Sequence, residues 1–315
     1  MKMVLFPAVP AEWLAELQQA APQAELVNIQ DEAQVPAAIA TADAFFGVLK
    51  PEMLRAAQNL RWVQTPIAGL EKYMFPELIA HPLTLTNMRG IFSDHIADHA
   101  LTYILTFARR FHLHFREQLQ ARWRPELDQQ VIHLADCTAG IIGLGGIGQA
   151  LAKRCAACEM RVVAVDPRQK EPSPGVAELW DMHGLDRLLA ESDFVICCAP
   201  HTPETEKLLG AAQFARMKPT AYLINISRGV IVDLAALTRA LQARQIAGAG
   251  LDVFEIEPLP AAHPLWKMPN VVITPHTAGH SPHFERRRLE VLKDNLSCFA
   301  RGQPLKNVVE KEKWY

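Results

Sequence analysis

The sequence is poor in cysteine, lacks long apolar runs and carries no excess of charge of either sign. Its 315 residues include only six cysteines, which does not favour a disulfide-framed secreted protein. No stretch approaches the ~18 unbroken apolar residues of a membrane span. The start, MKMVLFPAVP, is a short apolar run with two prolines, which favours a first β-strand over a signal peptide. These features predict a soluble, cytoplasmic protein without a membrane segment.

The charge balance excludes general electrostatic binding of nucleic acid or anionic lipid. Thirty-two Lys and Arg residues face 34 Asp and Glu residues, for a formal net charge of −2, so any anion must be bound locally. Half of the residues are hydrophobic, enough for one large or two medium domains with buried cores.

Two of the cysteines, Cys155 and Cys158, are separated by two residues in a segment with a helical pattern. Such a pair could be a redox motif or half of a zinc site, but no second pair follows at metal-ligand spacing. We therefore expect buried or spectator thiols and no metal. The other four are Cys137, Cys197, Cys198 and Cys298.

Short β-rich runs alternate with helical patterns along the whole chain, which predicts an α/β fold. The first series contains MVLFPA, ELVNI, ADAFFGVL, RWVQTPI and LTLTNM, and the second contains TAGIIGLG, MRVVAVD, DFVICCAP, AYLINISRG, AGAGLDVF and NVVITPH. Six strands alternating with helices predict a doubly wound parallel sheet of the dinucleotide-binding type. Between the two series, residues 93–115 predict one long helix that is buried on most sides, between domains or in a subunit contact, because its apolar residues point in every direction.

A glycine motif, GLGGIG at residues 143–148, follows the first strand of the second series and precedes a helical pattern. In this context Gly143 allows a tight turn, Gly145 lets backbone amides reach a pyrophosphate, and Gly148 permits close helix packing. The motif predicts a dinucleotide site.

Asp166 ends the next strand, near the ~20-residue offset expected for a carboxylate that binds the ribose. A carboxylate there favours NAD over NADP. Arg161, Arg168 and Lys170 are close enough in sequence to keep NADP open, and Asp166 as a solvated strand end is the alternative interpretation.

Three chemically active side chains follow later strands of the second series. Arg228, an acid of the segment 252–257 and His276 would meet at the carboxyl edge of a parallel sheet. Arg228 would clamp a carboxylate, His276 would donate a proton, and a neighbouring carboxylate would stabilise its charged form. These are the groups needed to reduce a keto acid, although composition alone does not choose between Glu255 and Glu257.

Five segments in order resemble the D-isomer-specific 2-hydroxyacid dehydrogenases, with features of the glyoxylate/hydroxypyruvate reductases. They are GIIGLGGIGQ, HTPET, INISRGVIVD, GAGLDVFEIEPLP and NVVITPHTAG. The resemblance implies that Arg228, Glu257 and His276 are the catalytic residues, and that Glu255 is a bystander.

The resemblance also implies the cofactor and substrate contacts. Asp252 would meet the nicotinamide carboxamide. Residues 65–73, TPIAGLEKY, resemble the family's substrate-carboxylate loop, in which the amides of Ala68 and Gly69 face the substrate together with Arg228 and His276. Glu71 stands where family members usually have Asp, which leaves the shape of this loop open. The other implied cofactor-binding residues are Gly146, Ile147, Pro200, Thr205, Ile226 and Ser227, besides the glycines and Asp166 named above.

Two Rossmann-like domains are therefore expected. Residues 1–95 and 286–315 would form a smaller, flavodoxin-like substrate domain, to which a C-terminal helix returns, and residues 96–285 would form the dinucleotide-binding domain. The implied reaction is transfer of a hydride from NAD(P)H to C2 of a small 2-keto acid, with His276 protonating the carbonyl oxygen to give a D-2-hydroxy acid. A homodimer is expected. The alternatives are a short D-lactate or phosphoglycerate type of dehydrogenase, or an NAD-sensing corepressor or scaffold of the same fold.

The remaining histidines have weaker claims. His280 and His283 could serve as the acid, but neither ends a strand. His95 and His99 have metal-compatible spacing without a third ligand, so interdomain packing or lining of the cofactor site is the better interpretation. No role is assigned to Lys50, Arg89 or His201.

Overall fold

Two compact units make up the chain. The computed structural model describes residues 1–314, with Asp128 described by its backbone alone. The first unit contains residues 1–91 and 281–315, and the second contains residues 92–280. These divisions lie within five residues of the predicted boundaries at 95/96 and 285/286, while the roles of the two domains stay predictions; Tyr315 lies outside the described residues.

The first unit has a five-stranded parallel sheet in the order β2-β1-β3-β4-β5, the strand order of flavodoxin-like folds. Its apolar runs form the sheet, and residues such as Phe45 and Val63 are fully buried there. The strands are β1 Lys2–Leu5, β2 Glu25–Asn28, β3 Ala44–Phe46, β4 Trp62–Gln64 and β5 Thr84–Thr86. The helices are α1 Ala11–Ala20, α2 Val35–Ile39, α3 Pro51–Ala56, α4 Pro76–Ala80 and, from the C-terminal segment, α11 Phe284–Ala300.

Helix α11 is fastened to the first unit by charge and by a buried amide. Arg286 and Lys293 both bind the carboxylate of Glu16 on α1, which lowers the pKa of Glu16. Asn295 is buried and donates to the side-chain oxygen of Gln64 on β4 at 2.8 Å. The C-terminal helix therefore folds with the N-terminal sheet.

The second unit has a seven-stranded parallel sheet in the order β12-β11-β10-β9-β6-β7-β8, so the direction of winding reverses between β6 and β9. Six of its strands are the predicted ones; the short edge strand β8 was not predicted. The strands are β6 Thr138–Ile142, β7 Arg161–Val165, β8 Glu178–Trp180, β9 Phe194–Cys197, β10 Tyr222–Asn225, β11 Gly248–Leu251 and β12 Val271–Ile273. The helices are α5 Ser93–Ala108, α6 Phe111–Gln118, α7 Gly146–Ala157, α8 Leu185–Glu191, α9 Ala211–Phe214 and α10 Leu234–Gln242. The predicted α/β fold class is confirmed.

The prediction of one helix over residues 93–115 was wrong. The helix stops at Ala108 and a second begins at Phe111, because Arg110 takes a left-handed conformation with φ of 56°. The expected burial between domains or in a subunit contact stays a prediction; within the single chain Leu105 is exposed, and beyond the break Phe111 and Phe115 are exposed too. Within residues 1–314, no helix combines the length and apolar character needed to cross a bilayer.

Candidate active site

The predicted site residues of the second unit lie at one edge of its sheet, in a definite order. His276 follows β12, Glu257 follows β11 and Arg228 follows β10, and these three strands are neighbours. The glycine motif follows β6, and Asp166 follows β7 on its far side. Since parallel strands end at the same edge, catalytic and cofactor candidates share the carboxyl edge where α/β proteins bind ligands.

His276 and Glu257 are directly hydrogen bonded. The distance from Nδ1 of His276 to Oε2 of Glu257 is 2.7 Å, and the other carboxylate oxygen, Oε1, accepts from the amide of Phe254 at 2.9 Å. A carboxylate at Nδ1 fixes the ring tautomer and orientation and leaves Nε2 for a second partner. Both residues line a cavity of about 350 Å³ with largely apolar walls, among them Trp266 and Ile273.

Glu255 occupies a different environment from Glu257. Its Oε1 accepts from the amide of Leu234 at 3.1 Å, at the first residue of α10, where a negative charge stabilises a helix. The geometry therefore separates the two acids that composition could not: Glu257 contacts the histidine and Glu255 contacts a helix end.

Asp252, a buried carboxylate, holds the segment that carries His276. Its oxygens accept from the hydroxyl of Thr274 at 2.5 Å and from the amides of Thr277 and Ala278 at 2.9 and 3.0 Å, and its carbonyl accepts from the amide of His276 at 2.8 Å. His276 has a φ of 54°, a conformation that costs about 1–3 kcal/mol in a non-glycine residue and persists only where the surrounding structure enforces it. Asp252 thus binds the hydroxyl of Thr274 before this position and the backbone amides at and after it.

Sequence reasoning missed the support beneath Asp252. Thr274 bonds to the hydroxyl of Tyr103 at 2.6 Å and to Nε2 of His99 at 3.0 Å. Burial raises the pKa of Tyr103 and lowers that of His99, so at neutral pH both side chains are uncharged partners of Thr274. These contacts of His99 lie within the second unit, and the interdomain packing or cofactor lining expected for it stays a prediction. His95 bonds through Nε2 to the carbonyl of Gly279 at 3.0 Å.

The histidines that follow His276 are placed differently. His280 and His283 are exposed, and in the described part of the chain neither ring contacts a carboxylate. Arg228 is half-buried at the end of β10, where its Nη1 donates to the carbonyl of Ser227 at 2.9 Å. The next residue must be glycine, because a Cβ on Gly229 would lie 1.8 Å from the carbonyl carbon of Phe254.

The glycine motif fits a dinucleotide. Gly143 has a φ of 94°, and a Cβ on Gly148 would lie 2.2 Å from the carbonyl oxygen of Gly143, so the turn and the close packing both require glycine. A Cβ on Gly145 would meet no atom within 4 Å. The backbone therefore opens onto free space at the N-terminus of α7, where amide groups and the helix dipole favour a phosphate.

Asp166 organises two loops at once. Oδ2 accepts from the amide of Leu144 in the glycine motif at 2.7 Å, and Oδ1 accepts from the amides of Arg168 and Gln169 at 2.8 and 2.9 Å. The alternative of a merely solvated strand end does not fit these bonds. Arg161 is no candidate for a 2′-phosphate, because it begins β7 at the opposite edge and forms ion pairs with Glu178 and Glu191.

Two further loops carry the weaker cofactor candidates. Thr205 donates to the carbonyl of Pro200 at 2.7 Å, and the hydroxyl of Ser227 bonds to the carbonyl of Ala199, so the loops after β9 and β10 are tied together. Ile226 is buried among core residues. His201 lies in the same loop, with Nε2 3.6 Å from Oε2 of Glu206.

Ala68 and Gly69 lie in the first unit, in the loop between β4 and α4, and both are half-buried. Lys50, also in this unit, pairs with Glu32 at the surface, which raises the pKa of Lys50. The carbonyl of Arg89 accepts from the side chain of Asn307 at 2.9 Å.

The cysteines are all free thiols. Burial raises the pKa of Cys155 to about 12 and that of Cys137 to about 11, so neither is a thiolate at neutral pH. Across the described residues, no three His, Cys, Asp or Glu side chains come together as a metal site.

Fold and site together define an NAD(P)-linked oxidoreductase of the two-domain Rossmann type. Residues 101–278 match the sequence profile of the D-isomer specific 2-hydroxyacid dehydrogenase, NAD binding domain. The chain belongs to this family, and the predicted membership is confirmed.

Three relatives illustrate the similarity. A glyoxylate reductase from Korarchaeum cryptofilum is 37% identical over 264 residues, which is 83% of this chain and 79% of the relative. A glyoxylate/hydroxypyruvate reductase B from Citrobacter koseri is 32% identical over 98% of both chains. An NADPH-dependent glyoxylate/hydroxypyruvate reductase from Sinorhizobium meliloti, crystallised with NADP and sulfate, has a TM-score of 0.84 at 29% identity and covers 100% of this chain and 99% of its own.

Proposed function

We propose that this protein reduces a small 2-keto acid of the glyoxylate or hydroxypyruvate type to the D-2-hydroxy acid. The observation that carries the proposal is the 2.7 Å contact between His276 and Glu257. It lies at the carboxyl edge of the second unit's sheet, where the glycine motif also lies. The names of the two sequence relatives, glyoxylate reductase and glyoxylate/hydroxypyruvate reductase B, support this substrate class.

His276 is the proposed general acid. Glu257 accepts from Nδ1, so the charged ring holds its transferable proton on Nε2 and can give it to a carbonyl oxygen. When the proton leaves, the ring stays hydrogen bonded to Glu257 and is ready to accept a proton in the reverse oxidation. Glu257 is itself oriented by the amide of Phe254, so the pair is fixed before substrate arrives.

The substrate carboxylate is the proposed partner of three donors. The guanidinium of Arg228 suits a carboxylate because its planar fork offers parallel N–H groups, and it would also polarise the neighbouring carbonyl. The backbone amides of Ala68 and Gly69 are the other donors that the family resemblance implies.

A reduced nicotinamide dinucleotide supplies the hydride when bound. We propose that Gly143, Gly145, Gly146, Ile147 and Gly148 hold its pyrophosphate, and that Pro200, Thr205, Ile226, Ser227 and Asp252 line the remainder. The carboxylate of Asp166 favours the ribose diol of NAD. Arg168 and Lys170, exposed just beyond it, leave NADP open, and the Sinorhizobium meliloti relative was crystallised with NADP.

A homodimer is proposed from an apolar stripe on and after α6. Phe111, Phe115, Leu119 and Trp123 recur every four residues, and Leu119 and Trp123 are 88% and 92% exposed. Exposed apolar side chains of this size are typical of a protein contact, and a second copy of the chain is the partner that the family resemblance implies. The six free thiols support the cytoplasm as the compartment, because it keeps thiols reduced.

The test is a substrate panel with two histidine variants. Glyoxylate, hydroxypyruvate, pyruvate and phenylpyruvate are each assayed with NADH and NADPH. We expect turnover by the native protein and a loss of roughly 10²–10⁴-fold in His276→Ala, the range for a general acid, with NADH binding retained. His280→Ala, an exposed neighbour, is the control. Equal turnover in His276→Ala, or tight NADH binding without turnover of any keto acid, would contradict the proposal.

A further inference from the structure

A buried amide, Asn87, lies in the first unit one residue beyond β5. Its side chain is 2% exposed and makes two hydrogen bonds to backbone. Nδ2 donates to the carbonyl of Ala68 at 2.8 Å, and Oδ1 accepts from the amide of Arg89 at 3.2 Å. The backbone of Asn87 is fixed in turn, because Asn307 donates to its carbonyl at 3.3 Å. Asn87 therefore connects a rigid strand end to the loop that contains Ala68 and Gly69.

Two consecutive carbonyls of that loop face the end of β5. The carbonyl of Ile67 accepts from the amide of Met88 at 3.0 Å and from the hydroxyl of Thr65 at 3.1 Å. The carbonyl of Ala68 accepts only from Asn87 among the described residues. The orientation of the peptide between Ala68 and Gly69 thus depends on a single side chain.

The positions of these two carbonyls also fix the directions of the N–H groups of Ala68 and Gly69. In a planar trans peptide, the C=O of one residue and the N–H of the next point in opposite directions. With the carbonyls of Ile67 and Ala68 facing the β5 side, the N–H groups of Ala68 and Gly69 face the other way. In residues 1–314 neither N–H has a protein acceptor, although both residues are half-buried. Adjacent amides oriented in this way form a site for an anion.

We propose that Asn87 is the positioning residue for the carboxylate-binding amides of Ala68 and Gly69. It contacts no substrate itself; it holds the Ala68–Gly69 peptide so that both N–H groups are available to the carboxylate of a 2-keto acid. This inference rests on the proposed function, which assigns those amides to the substrate.

The test measures carboxylate binding in Asn87→Ala and Asn87→Ser. The expected result is a rise of about tenfold in KM for the keto acid and in the dissociation constant of oxamate, a carboxylate that is not reduced. This corresponds to a loss of ~1.4 kcal/mol, the scale of one well-placed hydrogen bond. The NADH dissociation constant should stay unchanged, and kcat should fall less than KM rises.

Asn28 provides the matched control in the same unit. Its amide also makes two bonds to backbone, accepting from the amide of Val9 at 2.8 Å and donating to its carbonyl at 2.9 Å, but it does not touch residues 67–69. Asn28→Ala should therefore lose stability in a thermal melt while keeping the KM and oxamate affinity of the native protein.

The outcomes separate this inference from the proposed function. A KM and an oxamate affinity within twofold of native in either folded Asn87 variant would overturn it, as would equal losses in Asn28→Ala. If the native protein turns over no keto acid, the proposed function fails, but weaker oxamate binding in the Asn87 variants alone would still support the positioning role. A native protein that binds no oxamate would overturn the positioning role of Asn87. If Asn87→Ala does not fold, Asn87→Ser, which retains a short polar group, decides the question.

Discussion

Replacing Glu257 by Gln tests the acid–base pair with the smallest change in shape. The carboxylate now serves two donors, Nδ1 of His276 through Oε2 and the amide of Phe254 through Oε1. A glutamine has one oxygen and cannot accept from both. Either the Phe254 amide loses its partner, or an NH₂ group faces Nδ1 in place of an acceptor. In both cases the charged ring of His276 loses its anionic hydrogen-bond partner.

The size of the effect follows from the exposure of the pair. A hydrogen bond to a charged group contributes about 1.5–3 kcal/mol. The side chains of Glu257 and His276 are 35% and 48% exposed, so water screens the interaction and the lower part of that range applies. A loss of ~1.5–2 kcal/mol in transition-state stabilisation lowers kcat roughly 10- to 30-fold.

The assay follows NADH absorbance at saturating keto acid, with Glu255→Gln as the control. Glu255 stands two residues earlier and accepts from the first amide of α10, so its variant should lose a little stability and keep kcat within about twofold, since exposed charges near helix ends contribute only ~0.3–1 kcal/mol. A Glu257→Gln protein with native kcat would refute a catalytic role for the pairing of Glu257 with His276. Equal losses in the two variants would show that the segment, and not the contact with His276, matters.

Two further predictions concern stability and assembly. Burial lowers the pKa of His112 to about 4, from ~6.5 in an unfolded chain, so the native state resists protonation and stability is lost as pH falls from 6.5 towards 4. Chemical denaturation at pH 7 and pH 4 measures the loss of unfolding free energy between the two pH values. This loss should be ~2–3 kcal/mol smaller in His112→Gln, which keeps a donor for the carbonyl of Thr106, than in the native protein. An equal loss in both proteins contradicts the assignment. Leu119→Glu should convert a species of two chains to one of a single chain in sedimentation, whereas Val308→Glu, at an exposed apolar site of the first unit, should not; a native protein that sediments as one chain refutes the dimer.

The sequence predicted most of the fold because burial on both faces of a parallel sheet leaves continuous apolar runs. Strand β8 escaped this signal, since its three residues are all only half-buried. The break at Arg110 escaped for the opposite reason. Apolar residues at 100, 104, 107, 111 and 115 keep helical spacing straight through it, and only a local backbone conformation turns Phe111 and Phe115 outward.

The candidate site divides in the same way. Arg228 and His276 could be found because they follow strands, and strand ends can be read from the sequence, whereas only the family resemblance chose Glu257 over Glu255. Thr274, Tyr103 and Asn87 could not, since their roles depend on contacts between distant residues, such as the bond from Tyr103 to Thr274 across 171 positions. Glu255 and Glu257 show the limit most directly: they differ by two positions, the strand pattern does not choose between them, and the folded backbone gives the physical difference by placing Glu255 at a helix end and Glu257 at the histidine.

Asp252 and Asn87 solve the same physical problem in the two units. A loop beyond a parallel strand has left the ladder of sheet hydrogen bonds, so its backbone groups need other partners. In each case a short, buried polar side chain just past a neighbouring strand supplies them: Asp252 after β11 binds the loop after β12, and Asn87 after β5 binds the loop after β4. Each side chain has the polarity that its loop requires. Asp252 accepts from N–H groups and so orients the His276 segment, whereas Asn87 donates to a carbonyl and so leaves N–H groups facing outward. Replacing Asp252 by Asn, or Asn87 by Asp, would therefore alter the orientation of the bound loop more than its burial.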